Sequence, residues 1–498
     1  MKYISTRGNS NPINSTQAIL TGLAPDGGLF LPESIPVLTP EELTGLLENG
    51  YQLTAETILG FYLTDYSPGE LEKMLAQAYG EKFDTPEVTP LTLVRDNLAF
   101  LELWHGPTCA FKDLALQLLS YLLTSAARKN GLEKEVVLLV ATSGDTGKAA
   151  LEGFKNVPGT KVIVFYPEDG VSEIQKKQMV TQEGENTFVI GVRGNFDQAQ
   201  TGVKTIFANR HLQNEMEQAG KSFSSANSIN WGRLIPQVVY YFRAWSGLIK
   251  QGKLKPQESF NIVVPTGNFG NILAAYYSKK MGLPVNKLIC ASNSNNVLTE
   301  FIRTGVYDRK RSFYQTISPS MDILVSSNLE RLLYDLTGHN PRAVSDYMEK
   351  LRVEGIYKLT NEQLIVLNEG FWADFVTEKE TTGAIKEVFE EFNYLIDPHT
   401  AVGYKVYKDY LKETGDRRPT VIASTASPFK FNTGVARAVL GEQSTLDQDE
   451  FSLLKRLSAF TGVKIPQGLM GLEDKPVLHQ RVVNPEEMEG TVREILGI

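Results

Sequence analysis

The chain contains 498 residues, of which 42% are hydrophobic and 22% are charged. This length predicts two or three domains, and the composition excludes extensive disorder. The net charge of -8 is spread along the chain without a basic block, which argues against a nucleic-acid partner.

The sequence predicts a cytoplasmic protein without a membrane partner or a metal site. The two cysteines, Cys109 and Cys290, and five scattered histidines are too few for a disulfide framework or a Cys/His zinc array. The first residues lack an apolar stretch of signal-peptide length, and no uncharged span that follows is long enough to cross a bilayer.

Residues 1–92 are predicted to form a small N-terminal α+β domain. Turn residues interrupt an apolar pattern between positions 23 and 32. Two helix starts follow, Thr39-Pro40-Glu41-Glu42 and Ser67-Pro68-Gly69-Glu70, because each places a capping hydroxyl before a proline and an acidic first turn. We identify no catalytic group of residues in this domain.

Residues 93–498 are predicted to form an α/β region with mainly parallel sheets flanked by helices. Continuous apolar runs, which are typical of strands buried on both faces, alternate with helical stretches. These runs occupy positions 136–140, 162–166, 187–192, 260–264 and 420–424. A small lobe is expected at about 100–210 and a mostly helical insertion at about 299–391.

Lys112 is unusual because it follows the small and apolar residues Cys109, Ala110 and Phe111. A strongly hydrated ammonium prefers an open surface, so this position favours a lowered pKa and a nucleophilic amine that can form a Schiff base. The alternative is a lysine whose head group reaches solvent from the start of a helix. The leucine-rich stretch after Asp113 predicts such a helix, which is largely buried.

Three loops follow predicted strands, and in a parallel sheet they would meet Lys112 along one edge. The loop Gly267-Asn268-Phe269-Gly270-Asn271 can present backbone N–H groups to a phosphate, although the same residues also suit a simple tight turn. The loop after position 140 offers hydroxyl and N–H groups to an anion, and the loop after position 424 begins with Thr425. Pyridoxal phosphate requires an imine-forming lysine, a phosphate site and a partner for its ring nitrogen.

Several segments match motifs of a known family: Ser5-Thr6-Arg7-Gly8, 22–31, 105–117, 141–150, Ser228-Ile229-Asn230-Trp231-Gly232-Arg233, 266–271 and Ser318-Pro319-Ser320-Met321-Asp322-Ile323. On these segments the chain resembles the threonine synthases of the longer bacterial and fungal type, within the tryptophan-synthase-β family of pyridoxal-phosphate enzymes. The resemblance covers almost the whole chain. It implies fold type II, with large and small cofactor domains and an additional N-terminal domain.

The resemblance also implies which residues bind the cofactor. Lys112 corresponds to the catalytic Schiff-base lysine, Asp145 to the residue that faces the ring hydroxyl, and Thr425 to the partner of the ring nitrogen. The loop for the cofactor phosphate corresponds to Gly267, Asn268, Phe269, Gly270 and Asn271.

The resemblance also implies which residues bind the substrate. Thr142, Ser143 and Thr146 resemble the loop that receives the substrate carboxylate. Three basic residues are candidates for the substrate phosphate: Lys148, Arg233 and Arg303. The alternatives are that Lys148 faces solvent, that Arg233 fixes the preceding turn by a salt bridge, and that the basic residues around Arg303 form a solvated face. Lys148 and Ser427 also depart from the family pattern, which often has a small residue and a histidine at these positions.

The implied reaction converts O-phospho-L-homoserine and water into L-threonine and phosphate by γ-elimination and β-addition, the last step of threonine biosynthesis. The alternatives are a related phospho-lyase or serine/threonine dehydratase, and a non-catalytic protein that binds pyridoxal phosphate or a phosphorylated amino acid. The chain is expected to act on its small-molecule substrate as a monomer or homodimer, with closure of a domain or loop.

Overall fold

The computed structural model describes residues 1–132 and 134–498. Its strands are β1 (Tyr3–Ser5), β2 (Phe30–Pro32), β3 (Leu91–Arg95), β4 (Leu98–Glu102), β5 (Glu135–Ala141), β6 (Thr160–Pro167), β7 (Thr187–Val192), β8 (Lys221–Ser224), β9 (Phe260–Pro265), β10 (Val285–Ser292), β11 (Val306–Asp308), β12 (Ile356–Lys358), β13 (Phe371–Phe375), β14 (Thr420–Ser424) and β15 (Val482–Val483).

Its helices are α1 (Ser15–Thr21), α2 (Pro40–Gly45), α3 (Tyr51–Tyr62), α4 (Pro68–Ala78), α5 (Lys112–Lys129), α6 (Asp145–Gly153), α7 (Glu173–Val180), α8 (Phe196–Ala208), α9 (Arg210–Gln218), α10 (Trp231–Leu234), α11 (Pro236–Lys250), α12 (Gly270–Lys280), α13 (Val297–Thr304), α14 (Leu329–Leu336), α15 (Pro341–Val353), α16 (Asn361–Gly370), α17 (Glu378–Phe392), α18 (Pro398–Thr414), α19 (Asn432–Leu440), α20 (Glu450–Thr461) and α21 (Met488–Leu496). Among the described residues, no helix is both long and apolar enough to span a membrane.

Both helix starts predicted near the N-terminus are confirmed. Thr39 caps α2 and Ser67 caps α4, and in each case the glutamate three residues later returns a hydrogen bond to the capping residue. This reciprocal arrangement satisfies backbone N–H groups that a helix start leaves unpaired. The short strands β1 and β2 of the same segment pair antiparallel.

The larger sheet has the strand order β13-β10-β9-β14-β4-β3. Its neighbours run parallel except for β3, which pairs antiparallel with β4 at one edge. Every residue of β4, β9 and β14 is buried, as expected for strands whose two faces are both covered.

The smaller sheet has the order β15-β7-β6-β5-β8, and all of its pairs are parallel. The five strands predicted from apolar runs are present as β5, β6, β7, β9 and β14, which confirms the α/β fold with mainly parallel sheets. The segment 299–391 is mostly helical, but it also contains the antiparallel pair of β11 and β12 and the edge strand β13, which the sequence did not predict.

Candidate active site

Lys112 is the first residue of α5, and the loop after β14 fixes the backbone that leads to it. The Phe111 N–H donates to the Thr425 carbonyl at 2.9 Å, and the Ser427 N–H donates to the Cys109 carbonyl at 3.0 Å. Cys109 has a left-handed backbone with φ of 60°, which is uncommon for a residue with a side chain. Two segments distant in sequence therefore determine the position of Lys112.

The amine of Lys112 lies inside the protein and faces a carboxylate. Its Nζ is 3.5 Å from Oδ2 of Asp145, at the start of α6, and 14% of the lysine side chain is exposed. Burial is the main cause that lowers the pKa of Lys112. Asp145 opposes this effect, whereas the positive charges of Lys430 and Arg233 add to it. The Lys112 amine therefore loses its proton more readily than that of an exposed lysine.

Asp145 connects groups from several parts of the chain. Its Oδ1 accepts from the Gln175 amide at 2.8 Å, and its Oδ2 accepts from the Ser320 hydroxyl at 2.9 Å. Burial alone would raise the pKa of this carboxyl, but Lys430 and Lys112 outweigh burial and hold it well below its usual range. Asp145 is therefore an anion within the site.

Lys430 was not identified from the sequence, although it belongs to this group. Its side chain is fully buried, and its Nζ lies 3.0 Å from Oδ1 of Asp145 and donates to the Thr108 carbonyl at 2.8 Å. The sequence Pro428-Phe429-Lys430 contains the signal that identified Lys112, namely a lysine directly after apolar residues. The same reasoning could have found it.

The loop between β9 and α12 has the form of an anion site. Phe269 adopts a left-handed backbone with φ of 60°, so the chain turns sharply before the first turn of α12. A side chain at Gly267 would place its Cβ 2.7 Å from the Ser320 carbonyl oxygen. Asn268 is exposed, and its carbonyl accepts from the Asn328 N–H at 3.1 Å. The buried Nδ2 of Asn271 has no hydrogen-bond partner among the described residues.

The loop between β5 and α6 is organised by Thr142. The Thr142 hydroxyl accepts from the backbone N–H groups of Gly144 at 3.0 Å and Gly147 at 2.9 Å. Ser143 is exposed and Thr146 is half-buried. Thr142 thus shapes the loop, while Ser143 and Thr146 are the residues whose side chains are accessible.

The three candidates for the substrate phosphate differ in their surroundings. Lys148 is paired with Glu152 at 3.0 Å and also donates to Gln182. Arg303 is paired with Asp374 at 2.8 Å at the sheet edge, and 44% of its side chain is exposed.

Arg233 is buried, and no carboxylate in the part of the chain that the structure describes forms an ion pair with it. One guanidinium nitrogen donates to the Ala226 carbonyl, and its Nε has no partner among the described residues. Burial lowers the pKa of Arg233 to about 10.

Two residues of the loop after β14 have different surroundings. Thr425 is buried directly after the strand, beside the lysine segment. The hydroxyl of Ser427 accepts from the Phe429 N–H at 3.3 Å, so Ser427 stabilises the turn that leads to Lys430.

Family models match the chain over nearly its full length. They are the threonine synthase N terminus at residues 2–79, a pyridoxal-phosphate dependent enzyme at 86–425 and the threonine synthase C-terminal region at 400–493. The chain belongs to the threonine synthase family. The resemblance noted from the sequence is thereby confirmed.

Individual relatives agree with this family assignment. The chain is 38% identical over 457 residues to threonine synthase from Pseudomonas aeruginosa. This alignment covers 92% of the chain and 94% of the relative. It is 40% identical over 434 residues to threonine synthase-like 1 from Pongo abelii, but this match spans only 58% of that longer protein. A crystal structure of pyridoxal-phosphate-bound threonine synthase from Brucella melitensis matches with a TM-score of 0.89 and 35% identity, covering 100% of both chains.

The residues of the site fit pyridoxal phosphate, the cofactor of this family. The unpaired Nδ2 of Asn271 and the backbone at the start of α12 can receive its phosphate, where only glycine fits at position 267. The amine of Lys112 can react with its aldehyde, and Asp145 is an anion beside that amine.

Proposed function

We propose that the Lys112 site converts O-phospho-L-homoserine and water into L-threonine and phosphate. The observation that carries this proposal is the largely enclosed group of Lys112, Asp145 and Arg233 in a chain that matches threonine synthases over nearly its full length. The group combines a reactive amine, a carboxylate that can compensate its charge and a cation free to bind a second anion.

Pyridoxal phosphate, when bound, supplies a conjugated ring that accommodates the electrons left after a proton is removed from the substrate Cα. Lys112 would attach it covalently, and the loop 267–271 would hold its phosphate. Asp145 would face its ring hydroxyl, and Thr425 would contact its ring nitrogen. These assignments follow the family motifs, and the positions at the ends of β5, β9 and β14 support them.

Lys112 is also proposed to transfer protons during turnover. Its amine, released when the substrate amine replaces it, would remove the proton from Cα, and the resulting ammonium would be compensated by the carboxylate of Asp145 at 3.5 Å. Over the whole reaction, Cβ loses one proton and gains the hydroxyl of water. Cγ loses the phosphate and gains one proton, and the second proton of water leaves with the phosphate. An amine at this position can return protons to the carbon skeleton, so Lys112 is the expected donor in the later steps.

We assign the substrate phosphate to Arg233. Its buried guanidinium lacks an anionic partner among the described residues, so a bound phosphate would supply the missing charge and accept the free N–H. Lys148 and Arg303 each have a carboxylate partner already. The substrate carboxylate is assigned to the loop that contains Ser143 and Thr146, where the start of α6 offers N–H groups.

We also propose that the protein is cytoplasmic, that it is a monomer or homodimer, and that its site closes when the substrate binds. Cys109 and Cys290 are buried free thiols, a state typical of proteins in a reducing compartment. Asp145, at the start of α6, contacts residues of α5 and α7 and the segment around Ser320. A small rotation of the smaller sheet would change the distances between these segments and so close the site.

The decisive experiment measures phosphate release from O-phospho-L-homoserine by the purified holoenzyme and identifies the organic product by mass spectrometry. Threonine should form with the wild type, whereas Lys112→Ala should lose nearly all turnover because it lacks the proton-transferring amine. A keto acid as product would instead indicate a lyase or dehydratase. Cofactor binding without any turnover would indicate a binding protein, and full activity of Lys112→Ala would refute the assignment of Lys112.

A further inference from the structure

Two lysines share one buried carboxylate at this site. The Nζ of Lys430 lies 3.0 Å from Oδ1 of Asp145, and the Nζ of Lys112 lies 3.5 Å from Oδ2. The shorter contact belongs to Lys430, whose side chain is fully buried and is also fixed by the Thr108 carbonyl. A fully buried lysine is rare in proteins unless an anion compensates it. Asp145 is that anion.

Lys112 and Lys430 lie among several other titratable groups. Lys112 experiences the charges of Asp145, Lys430 and Arg233. The other titratable groups that interact with Lys430 are Cys109, Asp113 and Lys148, and His399 faces Asp145 from α18. Burial raises the pKa of Asp113 to about 6, and Asp113 is already bound by the N–H and hydroxyl of Thr108. One carboxylate therefore faces both lysines directly.

We propose that Lys430 is a positioning residue that competes with Lys112 for the Asp145 carboxylate, so that the Lys112 amine is left unprotonated and ready to react. The proposal deepens the proposed function, since it explains how Lys112 becomes a nucleophile and base. It assigns a role to a residue outside the motifs that identified the family.

Two physical effects of Lys430 act in the same direction. Its positive charge repels a second ammonium at Lys112, and its contact with Oδ1 reduces the attraction that Asp145 exerts on Lys112. Removing the charge of Lys430 should strengthen the pair between Lys112 and Asp145. Lys112 would then keep its proton to higher pH and react more slowly at neutral pH.

The test measures the reactivity of Lys112 in the full chain after removal of the cofactor. A trace of acetic anhydride acylates only the neutral amine, with loss of acetate and of the amine proton, and mass spectrometry of the Lys112 peptide gives the rate at each pH. Lys430→Gln removes the charge but keeps a donor for the Thr108 carbonyl. Its rate profile should shift upward by about one pH unit, which is about a tenfold lower rate at neutral pH. Lys430→Arg should restore a profile close to the wild type.

Two controls separate competition for the carboxylate from general effects. Lys148→Gln removes another, partly buried charge that is paired with Glu152 rather than Asp145, so the profile of Lys112 should not shift. In an Asp145→Asn background, Lys430→Gln should shift the profile less than in the wild type, because no carboxylate remains to be shared. Three results would overturn the proposal. Lys430→Gln could leave the Lys112 profile unchanged, it could shift the profile equally in the wild-type and Asp145→Asn backgrounds, or Lys148→Gln could shift the profile as much as Lys430→Gln does.

A second measurement does not depend on the labelling reagent. The rate at which the cofactor-free chain captures pyridoxal phosphate, trapped by borohydride at neutral pH, should fall about tenfold in Lys430→Gln and recover with increasing pH. A pH-independent loss would indicate simple structural damage and would contradict the proposal. Neither measurement uses the substrate, so failure here is distinguishable from failure of the proposed reaction.

Discussion

Arg233 is the residue at which stability and function are expected to conflict. Its buried charge has no carboxylate partner among the described residues, which disfavours the folded protein but favours binding of an anion. Arg233→Met should lower kcat/KM for O-phospho-L-homoserine about 100-fold, since a buried charged hydrogen bond contributes about 2 to 3 kcal/mol. The melting temperature should stay the same or rise. Steady-state kinetics and calorimetry on the same sample measure both quantities.

Arg303→Met is the matched control for Arg233→Met. Arg303 is also an arginine candidate for the phosphate, but it is paired with Asp374 and 44% of its side chain is exposed. Its loss should change kcat/KM less than about threefold, because exposed pairs contribute little. A larger loss of kcat/KM in Arg303→Met than in Arg233→Met would indicate that the substrate phosphate binds at Arg303, at the sheet edge.

The sequence singled out Lys112, whose side chain is 14% exposed in the structure, but did not identify the fully buried Lys430. Both follow a phenylalanine, yet Lys112 precedes a stretch with an obvious helical pattern, whereas Lys430 comes shortly after the turn residues Ser427 and Pro428. What distinguishes Lys430 is its pairing with Asp145, a contact between residues far apart in the chain. A single sequence shows which lysines have apolar neighbours. It cannot show which carboxylate two of them share.

At the scale of elements, the loop before α12 depends on the absence of a side chain at Gly267. A Cβ there would lie 2.7 Å from the Ser320 carbonyl oxygen, so one backbone segment must move. Gly267→Ala should therefore weaken pyridoxal phosphate binding at least about tenfold, measured by titrating the cofactor-free protein. Gly383→Ala in α17 is the control, because nothing lies within 4 Å of its added Cβ. Equal affinities of the two variants would show that this loop does not hold the phosphate.

The segment that precedes α5 is held by an imidazole between two carboxylates. His105 lies 2.5 Å from Asp84 and 2.7 Å from Glu102, and it stacks on Trp104. Burial alone would lower the pKa of His105, but the two carboxylates outweigh burial and raise it to about 9. The imidazole is therefore charged at neutral pH in the folded protein and mostly neutral in the unfolded chain.

Because the folded state binds this proton more tightly, His105 stabilises the protein fully below about pH 6.5, and the effect is lost as the pH rises through about 9. The free energy of unfolding of the wild type should thus fall between these pH values by about 2 to 3 kcal/mol more than that of His105→Asn, as measured by denaturant titration at each pH. His211→Asn is the control, because 79% of its imidazole is exposed. Parallel pH profiles for wild type and His105→Asn would contradict this account.

Elements with a strong local pattern were predictable. The buried strands β5, β6, β7, β9 and β14 appear as continuous apolar runs, and the caps Thr39 and Ser67 carry their own signals. Strand β13 was not predicted, because it is short, contains Asp374 and owes its structure to pairing with β10. The boundary proposed at residue 92 and the limits of the small lobe stay predictions.

At the scale of the whole molecule, one buried arginine links the N-terminal segment to the active-site region. Arg331 donates to the carbonyls of Phe30 at 2.9 Å and Ile229 at 2.6 Å, and to the side chain of Asn328 at 2.6 Å. The neighbouring Glu330 accepts from the Thr6 hydroxyl at 2.6 Å and pairs with Arg7 at 2.9 Å. Asn328 in turn holds the loop that precedes α12, so the N-terminal segment is connected to the predicted phosphate site.

Arg331→Met should break this connection between the N-terminal segment and the loop before α12. It leaves the buried Phe30 carbonyl and the partly buried Ile229 carbonyl without their donor, which should lower the free energy of unfolding by about 3 kcal/mol. Hydrogen exchange should accelerate first in β2, whose Phe30 loses its partner, and cofactor affinity should fall because Asn328 is no longer held. Arg342→Met, at an exposed position in the nearby α15, should change none of these quantities appreciably. Faster exchange in β2 with unchanged cofactor affinity would show that the N-terminal segment is bound there without supporting the site.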